Sequence, residues 1–480
     1  MTWSDTASTP SNLGIFKQVM AFSLLQGAAP TVSDCIAAYV QARLPEGSNI
    51  YVHCEDSLLT PSMTREVEKL RSQGVTGPLV WKLARPIYGL PQSGAVWQRH
   101  LTAVLQKLRW RVSSIAPQTF EKISEIDGAI VILSAYVDDL LMGGSAVNMA
   151  HEWKLIRAEL KTTEPEVASR VLGCFFRYSR VGDKVWEMTM SMKSFFQECV
   201  NKYNRIPDAP QLSKRCTTPA RTFVNSDYTD PVLQSPGVLR HHAASLLMSV
   251  MYGARCCRPD LLAAVCSCAC FLKDWTRMAD ARLVQLFSYV GQTLNLVLAG
   301  TVCESDAKQA HLAAYADADL AGSDDSCRST SGGVTLLRGP KTSLVLEFWS
   351  SRQHCVSHST AESEIVSLSK CVRDFSAPAQ AMWSSWLQRP IQAIHHEDNS
   401  AAITIIAVGY SLAMRTLAKH KRVNLAELHE HFRDSSRQLV HCPTKEQLAD
   451  ILTKGLSGQM MSAATQMLGM IIKSDREILG

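Results

Sequence analysis

The sequence is short of the features that would place it quickly. No apolar run reaches the roughly 18 residues a membrane-crossing helix needs. The opening stretch MTWSDTASTPSNLG carries an acid and no basic segment ahead of the apolar VMAFSLLQGAA, so no targeting leader is expected. Charge is nearly balanced, with 49 Lys and Arg against 44 Asp and Glu, and the net +5 permits contact with a polyanion without requiring it. No internal repeat is visible. Cysteine is the one conspicuous residue, at 15 copies, but the number is odd, the spacing is scattered and no paired CxxC knuckle occurs. Segments such as LLAAVCSCACFL (Leu261–Leu272) use cysteine as a small hydrophobe, which points to a reducing compartment and a core helix, not to disulfides or a zinc site. Without a leader or span, an intracellular location is expected, cytoplasmic or nuclear.

What is present is a chain of 480 residues, 46% hydrophobic, enough for two or three domains with real cores. Three blocks differ in texture. The first mixes short strand-like runs (AIVILSAYV) with helical ones (AVWQRHLTAVLQKLRW). The second, from about Trp186 to Val302, reads mostly helical and is interrupted by a Pro/Ser/Thr-rich loop. The third, from about Ser305, alternates strands and helices as an α/β domain does, with a polar loop SDDSCRSTSGG, a helix from Thr360, a strand at RQLVHC and a last helix after Thr444.

Acidic residues carry the chemistry. In AYVDDLLMGG, Asp138 and Asp139 stand between two apolar runs, where adjacent like charges are either exposed at a turn or placed beside a cation. Upstream, Asp34 is followed five residues later by Tyr39, and IYGLPQSGAVW carries Gln92 at a Gly/Pro-marked turn into a helix. The third block holds AYADADLAG, RSTSGG, FWSSRQHCVSHSTAESEIVSLS, HEDNSAA and TKEQLADILTKGL. Each acid alone is by default a solvated surface group, Tyr39 a packing residue and Gln92 a turn side chain.

Taken in order, these motifs resemble the reverse transcriptase and RNase H regions of copia-type retrotransposon Pol polyproteins. The resemblance implies an α/β and α+β multidomain chain. It would have a right-hand palm with partial fingers at 1–185, a helical thumb or connection at 186–304 and an RNase H-like domain at 305–480. It implies RNA-directed DNA polymerisation and hydrolysis of RNA in RNA–DNA hybrids, in virus-like particles if cytoplasmic. RNA template, DNA primer, hybrid and dNTPs would be the partners, with no membrane. Asp34 and Asp138 would hold metal in the palm, with Asp139 auxiliary, Tyr39 under the nucleotide sugar and Gln92 on the incoming nucleotide. Asp317, Glu364, Asp398 and Asp450 would hold metal in the nuclease centre. Two Mg²⁺ per site, with Mn²⁺ as a substitute, are expected, because ions about 3.5–4 Å apart can clamp the attacking and leaving oxygens of a phosphoryl transfer. Glu362 has another explanation, since Ser359 and Glu362 fit a helix capping box.

The chain departs from the family pattern at several points. Leu320 stands where Trp follows the DAD motif, Ala361 and Ile365 flank the helix acids in place of Thr and Tyr, and YGLPQSGAVW ends unusually. The basic fingers segment expected before Ser11–Gly27 is missing from the match, so the chain reads as the C-terminal part of a Pol polyprotein. Two alternatives stay open at this level: an idle nucleic-acid-binding remnant, and a hybrid nuclease in which only the RNase H half works.

Overall fold

The computed structural model describes residues 9–322, 327–414 and 417–479. Residues 323–326, the first four of the segment SDDSCRSTSGG read as a polar loop, lie outside that set. The chain groups into two compact units. One comprises residues 1–12, 31–142 and 147–166, and the other residues 13–30, 143–146 and 167–480.

The first unit is built on an antiparallel sheet in the order Arg111–Val112, Thr119–Ile123, Ile130–Tyr136, Asp139–Gly143, Thr31–Asp34, with Glu166–Val167 as its sixth strand. The run Ile130–Ala135 is buried throughout, as expected of a central strand covered on both faces. Helix Ser93–Lys107 buries Trp97, Leu101 and Leu105 at helical spacing. A buried ion pair, Lys122 to Glu152 at 2.9 Å, crosses from the sheet to helix Ala146–Glu159.

The second unit contains a ten-stranded sheet. Its first five strands run in the order Arg437–His441, Ala393–Glu397, His311–Asp319, Thr330–Arg338, Ser343–Arg352. His311–Asp319, Thr330–Arg338 and Ser343–Arg352 form an antiparallel meander, while Ala393–Glu397 and Arg437–His441 lie parallel to the first of these. Helix Thr360–Cys371 packs across the meander, burying Ile365, Leu368 and Cys371 against Ala314 and Ala316. Between the third and fourth of these strands in sequence lie helices Thr360–Cys371 and Ala377–Trp386, joined by the π turn Val372–Ser376, and the strands and helices together make the α/β domain expected of the third block. The sheet continues through Leu296–Cys303 into the hairpin Cys174–Gly182 and Val185–Ser191.

Three local expectations are revised. Residues 185–191, assigned to a mostly helical block, form a strand, consistent with the alternation of VWEMTMS. Helix Leu13–Leu25, an apolar stretch of the first block, belongs to the second unit, where Phe22 makes edge contacts with Trp383 and Trp386. No continuous helix follows Thr444. Two 3-10 turns, Thr444–Glu446 and Asp450–Leu452, precede helix Gly458–Met467. The reason is that Leu448, Ala449, Ile451 and Leu452 are all buried, and the Gln447 amide donates to the Ala316 carbonyl at 2.9 Å. All fifteen cysteines are free, and helix Pro259–Ala269 buries Cys268 as the hydrophobic reading required.

Candidate active sites

In the first unit the two-residue connection Val137–Asp138 joins the strands Ile130–Tyr136 and Asp139–Gly143. Val137 has φ 57°, a left-handed conformation unfavourable for a β-branched residue and normally given to glycine at the first position of a tight hairpin turn. The tip is held by the buried Trp97, whose indole N–H donates to the Val137 carbonyl at 2.6 Å. Insertion of Thr31–Asp34 beside the hairpin brings Asp34 opposite Asp139 in register, while the Cys35 N–H donates to the Asp138 carbonyl at 2.8 Å. Thr163 anchors Asp34 by backbone and side chain.

Asp138 and Asp139 are half-buried and Asp34 is exposed, so the doublet does sit at an accessible hairpin tip. Burial pushes the Asp139 carboxyl up to about 6, helped by the charges of Asp34 and Asp138 and by a side-chain hydrogen bond with Asp34. Two carboxyl groups sharing a proton mark a place where a cation could substitute for that proton. Tyr39 is half-buried beside Asp138 and Tyr88, with its ring 4.6 Å from that of Tyr88. Gln92 is buried at the N-terminus of helix Ser93–Lys107, where its carbonyl accepts from the Val96 N–H.

The second acidic set is more enclosed. Asp317 is wholly buried near the end of its strand, Glu364 is buried in the first turns of its helix, and Asp398 follows the end of the parallel strand Ala393–Glu397. One oxygen from each of the three lies within 4.8 Å of the others, and among the described residues this is the one acidic group so arranged. The glycines of RSTSGG make the approach possible. Gly332 is the register partner of Asp317, and a Cβ there would come within 2.7 Å of Leu452, in the turn that carries Asp450. The cap on helix Thr360–Cys371 forms as expected, with Glu362 N–H donating to Ser359 Oγ at 3.2 Å. The Glu362 carboxylate returns to the His358 N–H at 2.8 Å.

Asp450 joins through a lysine. Lys454 Nζ donates to Asp317 Oδ1 at 3.0 Å and to Asp450 Oδ1 at 2.7 Å, while the Thr453 hydroxyl donates to Asp317 Oδ2. Burial opposes the charge on Lys454, but the two aspartates hold its pKa above the usual lysine range. Burial, then the charge of Asp317, pushes Asp450 up to about 6 despite Lys454. Burial, then Asp317, Glu397 and Asp398, pushes Glu364 up to about 10.

Glu397 was missed as a site residue in the sequence. It is wholly buried next to Asp398, and burial pushes it up to about 8. The adjacent Glu-Asp of HEDNSAA was the available signal. Glu364 Oε2 and Glu397 Oε2 are both buried without a hydrogen-bond partner. An all-oxygen, carboxylate-rich donor set with orphaned oxygens fits a hard divalent cation of the Mg²⁺ or Mn²⁺ kind. Lys421 is engaged within the protein, donating to the Cys355 carbonyl at 2.7 Å.

Residues 4–211 match the family model described as reverse transcriptase (RNA-dependent DNA polymerase). Over 409 residues, 82% of this chain, the sequence is 24% identical to the retrovirus-related Pol polyprotein from transposon TNT 1-94 of Nicotiana tabacum, covering 28% of that protein. It is 25% identical over 402 residues to the corresponding polyprotein from transposon RE2 of Arabidopsis thaliana, with 82% of this chain and 25% of that one covered. The chain thus spans about a quarter of the length of these curated relatives. Among solved structures, LC11-RNase H1, isolated from compost by a metagenomic approach, is 17% identical at a TM-score of 0.22, covering 30% of this chain and 92% of that one. The N-terminal RNase H domain of rv2228c from Mycobacterium tuberculosis is 18% identical at 0.21, covering 32% and 96%.

Proposed function

We propose two catalytic centres for a chain whose residues 4–211 match the reverse transcriptase (RNA-dependent DNA polymerase) family model and which is 24% identical over 82% of its length to a retrovirus-related Pol polyprotein from a plant transposon. The first is an RNA-directed DNA polymerase palm and the second a ribonuclease acting on the RNA strand of RNA–DNA hybrids. Functionally the chain would divide at 1–185, 186–304 and 305–480. The observation that carries the reading is the convergence of Asp317, Glu364 and Asp398 from a strand, a helix and a strand end onto one spot, with Asp450 tied in by Lys454.

In the nuclease centre, Asp317, Glu364, Asp398 and Asp450 would hold the divalent cations, Mg²⁺ or Mn²⁺, two in number by the family pattern. When bound, such ions supply charge neutralisation at the scissile phosphate and favour ionisation of water. The chain's own groups do the rest. Thr453 and Lys454 fix the Asp317 carboxylate so that it need not reorganise as charge develops. Asp450, beside the Lys454 ammonium, lies at the more accessible side of the set, with 11% of its side chain exposed against none of that of Asp317. Overall, water adds across the P–O3′ bond, leaving a 5′-phosphate and a 3′-hydroxyl.

In the palm, Asp34 and Asp138 would hold the cations and Asp139, paired with Asp34, would act beside them. Tyr39, next to Asp138, is placed to stack under the nucleotide sugar, and Gln92 is assigned to the incoming dNTP. RNA template, DNA primer and hybrid would be the macromolecular partners. The test is cleavage of a labelled hybrid by the purified chain with Mg²⁺ and by its Asp317→Ala/Glu364→Ala double variant. Removing preorganised electrostatic groups of this kind costs about 10²–10³ in rate or more. Full cleavage by the double variant would sink the nuclease assignment.

A further inference from the structure

We infer that Glu397 is a positioning residue of the nuclease centre, whose buried carboxyl group holds the carboxylate of Glu364 toward Asp317 and Asp398 through a bridging water. The inference rests on the proposed cation-holding role of the latter three.

The strand register shows where Glu397 stands. His311–Asp319 and Ala393–Glu397 run parallel with Leu312 beside Ala393 and Tyr315 beside His396. One further step sets Glu397 level with Ala316, and so on the face that carries Ala314 and Ala316 under helix Thr360–Cys371. On that helix Glu364, Leu368 and Cys371 follow at i, i+4 and i+7, the spacing of one face, and all three are buried. The two carboxylates therefore belong to the same helix–sheet interface, near enough for the Glu397 charge to act on Glu364, with small alanine side chains beside them on the strand.

Their hydrogen bonding is incomplete in the same way. Glu397 Oε1 accepts from the Asn399 N–H at 3.1 Å, and Glu397 Oε2 has no partner. Glu364 Oε2, on a residue 3% exposed, has none either. A buried polar oxygen left unmatched costs roughly 1–3 kcal/mol, and two at one interface are a feature to be explained. The backbone of Glu397 is rigidly set, its carbonyl accepting from the Cys442 N–H at 3.0 Å, so its side chain is a fixed support. Groups that orient metal-holding side chains do so by such fixed hydrogen bonds, direct or through a buried water.

Two substitutions separate positioning from packing. Glu397→Leu keeps a side chain of similar size and removes the carboxyl group; Glu397→Gln keeps a polar group that can donate toward Glu364. The readout is the midpoint of Mg²⁺-induced thermal stabilisation of the full chain, with KM and kcat for hybrid cleavage alongside. Positioning predicts that the leucine variant needs about tenfold more Mg²⁺ or worse, loses kcat and keeps KM, and that the glutamine variant recovers most of both. A leucine variant with the parent's Mg²⁺ midpoint and kcat overturns the proposal, as does failure of both variants to fold, which would assign Glu397 to folding alone. Asp398→Asn is the control. If it too leaves the Mg²⁺ response unchanged, the cation-holding reading itself fails; if it abolishes the response while Glu397→Leu does not, only the role of Glu397 falls.

Discussion

Asp34 and Asp139 face each other as register partners on adjacent antiparallel strands, and their carboxyl groups are hydrogen-bonded. Like charges directly opposite in a sheet are destabilising, so this pair works against the fold and is kept for another reason. Because burial and its acidic neighbours raise Asp139 to about 6, the folded chain holds a proton there that the unfolded chain releases near 4. The stability it contributes is complete below about pH 4 and is lost as pH rises through about 6. Asp139→Asn should therefore be more stable than the parent at pH 7 and no more stable at pH 4. Urea midpoints of both proteins at the two pH values check this.

A second pH dependence has the opposite sign. Burial pushes His395 down to about 3, with the charge of His431 adding to it, and burial pushes His396 and His431 down to about 4. His395 is held neutral against Ser376 Oγ at 2.7 Å. A depressed histidine gives stability that is present above its unfolded value of about 6.5 and is lost as pH falls through the folded value. The second unit should lose stability between pH 6.5 and 4, by up to roughly 1.4 kcal/mol per pH unit for the buried His395 and by less for the partly exposed His396 and His431, whose shifts solvent screens. Replacing His395 with Gln should flatten that slope in denaturation curves followed by tryptophan fluorescence.

Arg258 and Asp260 form an ion pair with almost no exposed side-chain surface, at 2.7 Å, and Arg258 also reaches the Thr293 carbonyl and hydroxyl. Taking away one partner of such a pair leaves a buried charge uncompensated. Asp260→Ala should destabilise the chain by about 3–5 kcal/mol, read as a fall in the urea midpoint. A loss under about 1 kcal/mol would mean water reaches Arg258.

Much of this was legible in the sequence because the signals were local. The doublet Asp138–Asp139 between apolar runs gave the hairpin, the Ser359-x-x-Glu362 spacing gave the helix start, and the motif order gave both acidic sets. Pairings over long distances in sequence were not legible. The strand Val185–Ser191 joins Leu296–Cys303 across more than a hundred residues, and nothing in either segment names the other. The turn at Asp450–Leu452 was read as helix, whereas long-range contacts, the Gln447 amide to the Ala316 carbonyl and Leu452 against Gly332, hold the segment in short turns. Lys454 was passed over because a lysine reads as surface until its two aspartate partners are placed. Val137 shows the reverse case, a residue that breaks the local turn rule at the point where the site is built.

The most direct test of two separate centres is a crossed assay on the purified chain with Mg²⁺, measuring primer extension on an RNA template and cleavage of a labelled RNA–DNA hybrid in the Asp138→Ala and Asp317→Ala variants. The two-centre account predicts that Asp138→Ala loses extension and keeps cleavage, while Asp317→Ala loses cleavage and keeps extension. A parent chain that does neither reaction, or variants that leave both rates unchanged, would contradict it.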